Sequence, residues 1–166
     1  VPAITTGVAH GTDIEGVAWL SSGIGFQRDP AAKEGNDGAP TVAFDLGKEM
    51  ELGAIEVWNY NEAAATERGV KKMEVCGSTV ADGRDAWQIP LGTFELARGA
   101  GGPIGQRTAF SEKLVPAAGK KVRYVKFTIL ANQQGGTYPT TDGKVGNAFV
   151  GLSEVKFHGA GASGNL

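Results

Sequence analysis

His10 and His158 are the only two histidines in the chain. They stand far apart in sequence, with no second soft ligand near either, so their spacing offers no zinc site. No Gly-x-Ser-x-Gly elbow is present to raise a nucleophilic serine. Paired carboxylates are the chemistry of glycoside hydrolysis, and Asp29, Glu34 and Asp37 cluster in one segment, Glu62 and Glu67 in another. Both segments read as loops, where solvated charge is the commoner role. The run Gly159-Ala160-Gly161-Ala162-Ser163-Gly164 fits the dinucleotide fingerprint. That motif needs a following helix to hold a pyrophosphate at its N-terminus, and only two residues remain. Cys76 is the single cysteine. It forms no internal disulfide, and within the apolar Met73–Cys76 run it reads as a buried small hydrophobe rather than a nucleophile.

Residue types suited to binding are better represented than those suited to catalysis. A sugar is commonly held by an aromatic ring against its C–H face, with planar polar side chains fixing its hydroxyls. Tyr60 and Asn61 end a strand-like run, and Arg68 closes the loop after it. Tyr138 lies inside a long Gly/Asn-rich loop that Asn147 and Phe149 end. Trp19, Trp58 and Trp87 are expected to pack in the core, whereas Phe149 suits core packing and ligand contact equally. Asp13 and Glu15 lie in a turn bounded by Gly11 and Gly16. Such a turn offers the hard oxygens that calcium takes. No EF-hand pattern accompanies it, and turns of this kind are commonly metal-free.

The elements that must position these residues are strands. Runs of alternating or β-branched character fall at Thr41–Leu46, Leu52–Asn61, Val70–Cys76, Ala86–Leu91, Arg107–Leu114, Val122–Leu130 and Val150–Phe157, with Ile4–Val8 and Val17–Leu20 before them. In Arg123–Ile129, Val125, Phe127 and Ile129 alternate with Tyr124, Lys126 and Thr128, a period of two with one apolar face. The last run breaks that rule. Val150, Leu152, Val155 and Phe157 do not share one alternation, which predicts a bulge near residues 151–153. Glu62–Arg68 has good helix formers but spans barely two turns, and reads as a loop with one helical turn. Asp37-Gly38, Asp82-Gly83 and Asp142-Gly143 mark turns. Ser21–Pro40 and Asn132–Asn147 are long loops of the kind that carry function.

The 166 residues suit one domain, placed at residues 1–158 with 159–166 as a small polar tail or linker. Strands without interleaved helices argue for an all-β, antiparallel sandwich or barrel. A net charge of −2 provides no long-range field for phosphates, so nucleic acid is not an expected partner. The Lys71-Lys72 and Lys120-Lys121-Val122-Arg123 clusters read as solvated strand charge. No apolar run approaches the ~18 residues of a membrane helix. Val1-Pro2-Ala3 begins no signal peptide, so a secreted protein is expected in processed or excised form.

The ordered set TVAFDLG (41–47), LGAIEVWNYN (52–61), ERGVKKMEVCGS (67–78), DAWQIPLG (85–92), VRYVKFTI (122–129) and FVGLSEVKF (149–157) resembles the discoidin, or coagulation factor 5/8 type C, domain. More broadly it resembles the galactose-binding-like jelly rolls used as bacterial carbohydrate-binding modules. The resemblance runs from about Thr41 to Phe157. It implies an antiparallel jelly-roll β-sandwich of about eight strands with the binding site on the loops at one end. It implies that Arg68 contacts a sugar and that Phe149 stacks on it. It further implies a structural calcium held by Asp13, before the first tryptophan, and by Glu154 of the last strand. A buried strand carboxylate beside Leu152 and Val155 needs such a partner. The turn here reads Gly-Thr-Asp-Ile-Glu where relatives often carry Asp-Gly-Asp, and no histidine of the kind used for galactose stands in Ser21–Pro40. The absence of the terminal disulfide of animal domains points to a bacterial source.

The expected function is that of a non-catalytic, monomeric carbohydrate-binding module, secreted or at the cell surface. It would tether a parent enzyme or surface protein to a polysaccharide. Two alternatives stand beside it. One is a protein- or phospholipid-binding adhesion domain using Ile24 and Phe26 as apolar loop tips. The other is a structural domain packed on a catalytic partner.

Overall fold

The computed structural model describes residues 19–21, 39–62, 65–81, 86–101, 111–136 and 149–161. Among them are seven strands: β1 (Trp19–Leu20), β2 (Thr41–Asn59), β3 (Val70–Ser78), β4 (Ile89–Glu95), β5 (Ser111–Leu114), β6 (Lys121–Asn132) and β7 (Gly151–Gly159). The strand pairings are antiparallel throughout. The chain is therefore all-β, as its alternation predicts.

β2 is the element that makes two layers. Its first part pairs with β6, which leads on to β3 and β4. Its second part, from Leu52, pairs with β7 on one edge and β5 on the other, and β1 extends beyond β7. The sequence reads as two strands here, Thr41–Leu46 and Leu52–Asn61. The structure instead bends one strand through Gly47-Lys48-Glu49. Gly47 takes a left-handed φ of 79°, and its N–H donates to Asp45 Oδ1 at 2.8 Å. The register against β6 shifts between Asp45 and Met50.

The inward faces meet in one core. Ile55, Val57, Leu152 and Val155 come from one layer; Val42, Phe44, Met73, Val75, Val125, Phe127 and Ile129 come from the other. Phe157 crosses the interface, its ring 5.1 Å from Phe44 and 6.2 Å from Phe127. The expected apolar face of β6, formed by Val125, Phe127 and Ile129, is fully buried. The bulge expected near 151–153 is present. Trp58 pairs with Glu154 and Asn59 with Leu152, so Ser153 is the extra residue on β7. This one-residue insertion lets both Leu152 and Val155 reach the core.

Three expectations shift. Ala86–Leu91 is strand only from Ile89, where β4 begins: Ala86 and Trp87 form a turn, with Trp87 at φ 66°. Pro90 is tolerated because β4 is the terminal strand of its layer among the described residues. The tryptophans are half-buried rather than core residues. Trp19 packs against the core from its rim, while Trp58 and Trp87 carry Lys156 and Lys126 over their rings at 4.7 and 5.1 Å. Cys76 is likewise half-buried, on the outward alternation of β3, and burial pushes its thiol pKa up. β7 runs to Gly159, and the Ala160 N–H donates to Glu51 O at 2.8 Å.

Candidate functional site

At one end of the sandwich β2, β4 and β6 finish and β3 and β7 begin. Asn59 ties these ends together. It follows Ile55 and Val57 on the inward alternation of β2, so it is a polar side chain in a core position and must find partners. Its Nδ2 donates to Val70 O at 2.7 Å and to Ala97 O at 2.8 Å. Its Oδ1 accepts from the N–H groups of Tyr60 at 2.9 Å and Val70 at 2.8 Å. Gln133 repeats the device from the turn just after β6, donating through Nε2 to Leu96 O at 2.6 Å and Val70 O at 2.9 Å.

The loop leading into β7 is held as firmly. Val150 N–H donates to Ser21 Oγ at 3.0 Å, and Ser21 N–H to Val150 O at 2.9 Å. Asn132 donates to Phe149 O at 3.3 Å while accepting from Gly136 N–H at 2.8 Å. Gly69 and Gly151 form a parallel bridge between the start of β3 and the start of β7. A Cβ on Gly151 would lie 2.6 Å from Trp19 O and 2.8 Å from the Tyr60 ring, so close backbone approach requires glycine here.

On this frame stands a small surface of mixed character. Phe149 is 38% exposed, among the few large apolar side chains left in solvent. The Arg68 guanidinium lies over its ring, 5.2 Å from the centroid. Arg68 comes from the single 3-10 turn Thr66–Arg68, where one helical turn was expected. Glu62 Oε2 sits 3.9 Å from Arg68 Nη1 and accepts a short hydrogen bond from the Tyr60 hydroxyl. Tyr60 is only 5% exposed, and burial together with the Glu62 carboxylate pushes its pKa up to about 12. Beside them, Arg98 Nε donates to Thr66 Oγ1 at 2.8 Å, and its Nη2 lies 3.4 Å from Glu67 Oε2.

Of the residues read from sequence, Tyr60, Asn61, Arg68 and Phe149 come together at this end. Arg68 and Phe149 face solvent. Asn61 is buried, its Oδ1 accepting from Gly101 N–H at 2.6 Å, so it shapes the adjoining loop from within. Tyr138, Asn147 and Asp13 lie outside the described residues. Sequence reading missed Asn59, Arg98 and Gln133, and weighed Glu62 only as a loop carboxylate. For Asn59 a signal existed, a polar residue at an inward position of an apolar strand.

Glu154 belongs to a different place, midway along β7 opposite Trp58 and on the alternation that points away from the core. It is 1% exposed, and neither carboxylate oxygen has a hydrogen-bond partner. Lys156 Nζ lies 3.4 Å from its Oε1, and the oxygens it leaves without hydrogen bonds are of the hard kind that calcium takes. Among the described residues no group of three or more His, Cys, Asp or Glu side chains gathers there or elsewhere.

No protein-family model matches the chain, and no curated protein matches it in sequence. Solved structures do share its fold. A fucolectin from the serum of striped bass, Morone saxatilis, aligns over 93% of this chain and 40% of its own, at 16% identity and a TM-score of 0.56. A SusE-like protein aligns over 73% of this chain at 21% identity and a TM-score of 0.54. The chain spans about half the length of that protein, 47%. A CBM32 module from a family 31 glycoside hydrolase of Clostridium perfringens aligns over 86% of this chain and 74% of its own, at 17% identity and a TM-score of 0.50. The architecture is thus an antiparallel β-sandwich whose fold these structures share.

Proposed function

We propose that this chain is a non-catalytic carbohydrate-binding module that holds a sugar against Phe149 and Arg68. The observation that carries the reading is an exposed aromatic ring backed by a guanidinium on a frame of buried amide clamps. An aromatic face gathers the C–H surface of a pyranose, and the arginine fork supplies donors to hydroxyls at its rim. The frame keeps both in place before the ligand arrives, which lowers the ordering cost of binding. The same fold serves a fucolectin and a CBM32 module, which favours this reading over a catalytic one.

A site with one stacked ring gives weak affinity, roughly micromolar to millimolar. Such an affinity suits tethering, in which a linked enzyme or surface protein is concentrated on a polysaccharide. We place the module outside the cell or at its surface, where polysaccharides are met. No helix among the described residues is long and apolar enough to cross a membrane.

Glu154 is proposed to hold a structural calcium, with Asp13 as a further ligand. When bound, the ion would neutralise the buried carboxylate and brace β7. A glycan array followed by affinity electrophoresis on soluble polysaccharides tests the main reading. Retardation by at least one polysaccharide is expected; migration unchanged in every gel, with no array signal, overturns it.

A further inference from the structure

The loop that follows β4 is pinned against the candidate site. Leu96 O accepts from Gln133 Nε2 at 2.6 Å, and Ala97 O from Asn59 Nδ2 at 2.8 Å. The Ala97 N–H donates to Glu112 Oε2 at 2.8 Å, and the Gly101 N–H to Asn61 Oδ1 at 2.6 Å. A Cβ on Gly99 would lie 2.8 Å from Tyr60 O, so this loop rests directly on the chain leaving β2. Arg98 stands in the middle of it, with 52% of its side chain in solvent.

The guanidinium of Arg98 is nonetheless fixed. Nε donates to Thr66 Oγ1 at 2.8 Å, and Nη2 reaches Glu67 Oε2 at 3.4 Å. Thr66 and Glu67 belong to the 3-10 turn that also carries Arg68. One turn of backbone therefore holds two guanidiniums, each with a carboxylate beside it: Arg68 with Glu62, and Arg98 with Glu67. Exposed ion pairs contribute little to stability, so folding alone gives no reason to order a long side chain here. The seat on Thr66 and Glu67 leaves the Nη1 donors of Arg98 without an acceptor among the described residues.

We propose that Arg98 and Glu67 form a second sugar position beside the one at Phe149 and Arg68, so that the protein reads two adjoining units of an uncharged glycan. The inference rests on the carbohydrate reading above and extends it from one unit to two. A guanidinium donates to a hydroxyl oxygen, a carboxylate accepts from a hydroxyl, and a sugar hydroxyl serves both. The charges cancel within each pair. A uronate or sulfated unit would meet Glu62 and Glu67 as like charges, a cost that an uncharged unit escapes. Because the second guanidinium is ordered in advance, the second unit adds affinity at little ordering cost.

A glycan array and affinity gels holding galactan, mannan, xylan and β-glucan, with pectate and alginate as the acidic set, first show which glycans bind. Fragments of one, two and three units from each binder are then titrated into the whole chain by calorimetry. Affinity should rise roughly tenfold from one unit to two and level at three. In Arg98→Ala that rise should be lost. A merely structural effect lowers both affinities together and leaves their ratio intact, and that result overturns the second position. A flat series in the unaltered protein overturns it as well, and needs no variant to fold. Tighter binding of pectate or alginate fragments than of any neutral fragment overturns the uncharged glycan while the carbohydrate reading stands. If no glycan binds in the array or the gels, the carbohydrate reading itself fails and the second position falls with it.

Discussion

The guanidinium of Arg68 covers the ring of Phe149 at 5.2 Å, so one face of the exposed aromatic is already occupied by the protein. On the proposed carbohydrate-binding reading, a sugar would stack on the other face and meet the arginine at the ring edge. Phe149→Ala should lower polysaccharide affinity by about tenfold or more, since an aromatic contact is worth roughly 0.5–1.5 kcal/mol beyond its area burial. Stability should change by no more than about 0.5 kcal/mol, as expected for an exposed position. Affinity electrophoresis and thermal melts read the two effects separately. Retained binding in Phe149→Ala would place the site elsewhere.

Arg68→Lys keeps the charge but loses the planar fork. Binding should weaken nearly as much as in Arg68→Ala, because the fork supplies both the ring stacking and the directed donors. A lysine variant that binds like the unaltered protein would show that only charge matters.

Asn59 satisfies two carbonyls and two N–H groups at once. Asn59→Leu fits the volume but leaves these groups without the partners they have now. The loss should be at least about 3 kcal/mol, since each buried polar group left unmade costs about 1–3 kcal/mol. Chemical denaturation measures it; a loss under 1 kcal/mol, roughly the worth of one net hydrogen bond, would mean that water replaces the amide.

Gly151→Ala sets a methyl against Trp19 O and the Tyr60 ring. Overpacking of this kind costs about 1–3 kcal/mol. Because the strain falls on Tyr60, next to Glu62 and Arg68, ligand affinity should drop along with the melting temperature. Unchanged affinity in a folded Gly151→Ala protein would uncouple the bridge from the site.

Tyr60 carries a pKa raised from 10.0 to about 12. A raised acid pKa means the folded state keeps a proton that the unfolded state gives up. The stability it contributes is present below pH 10 and is lost as pH rises from there to about 12. In alkaline titration followed by phenolate absorbance, Tyr60 should ionise last, and Tyr60→Phe should remove that late step. Ionisation of Tyr60 in the ordinary tyrosine range would contradict the burial argument.

Much of the fold is legible in sequence because strand alternation is a direct imprint of one buried face. β6 displays it in Val125, Phe127 and Ile129, and even the β7 bulge is readable from the conflict between Leu152 and Val155. The unity of β2 is not readable, because the exposed Gly47-Lys48-Glu49 looks the same in a turn and in a bent strand. The start of β4 is hidden by Pro90, which forbids a central strand but not an edge. The site is legible only where a residue is unusual in itself, as with Phe149 and Arg68. Glu62, Arg98 and Gln133 are ordinary polar residues whose roles depend on partners brought from distant elements.

β2 runs through both layers and finds its partners mostly in the C-terminal half of the chain, in β5, β6 and β7. During synthesis its second half has no neighbour until residues 111–114 emerge, and lacks its longest pairing until Gly151–Gly159 has left the ribosome. The domain therefore closes only when its last strand is made, and its longest strand stays an open edge until then. Chaperone dependence during expression, more than intrinsic instability, is the hazard such a topology sets for its producer.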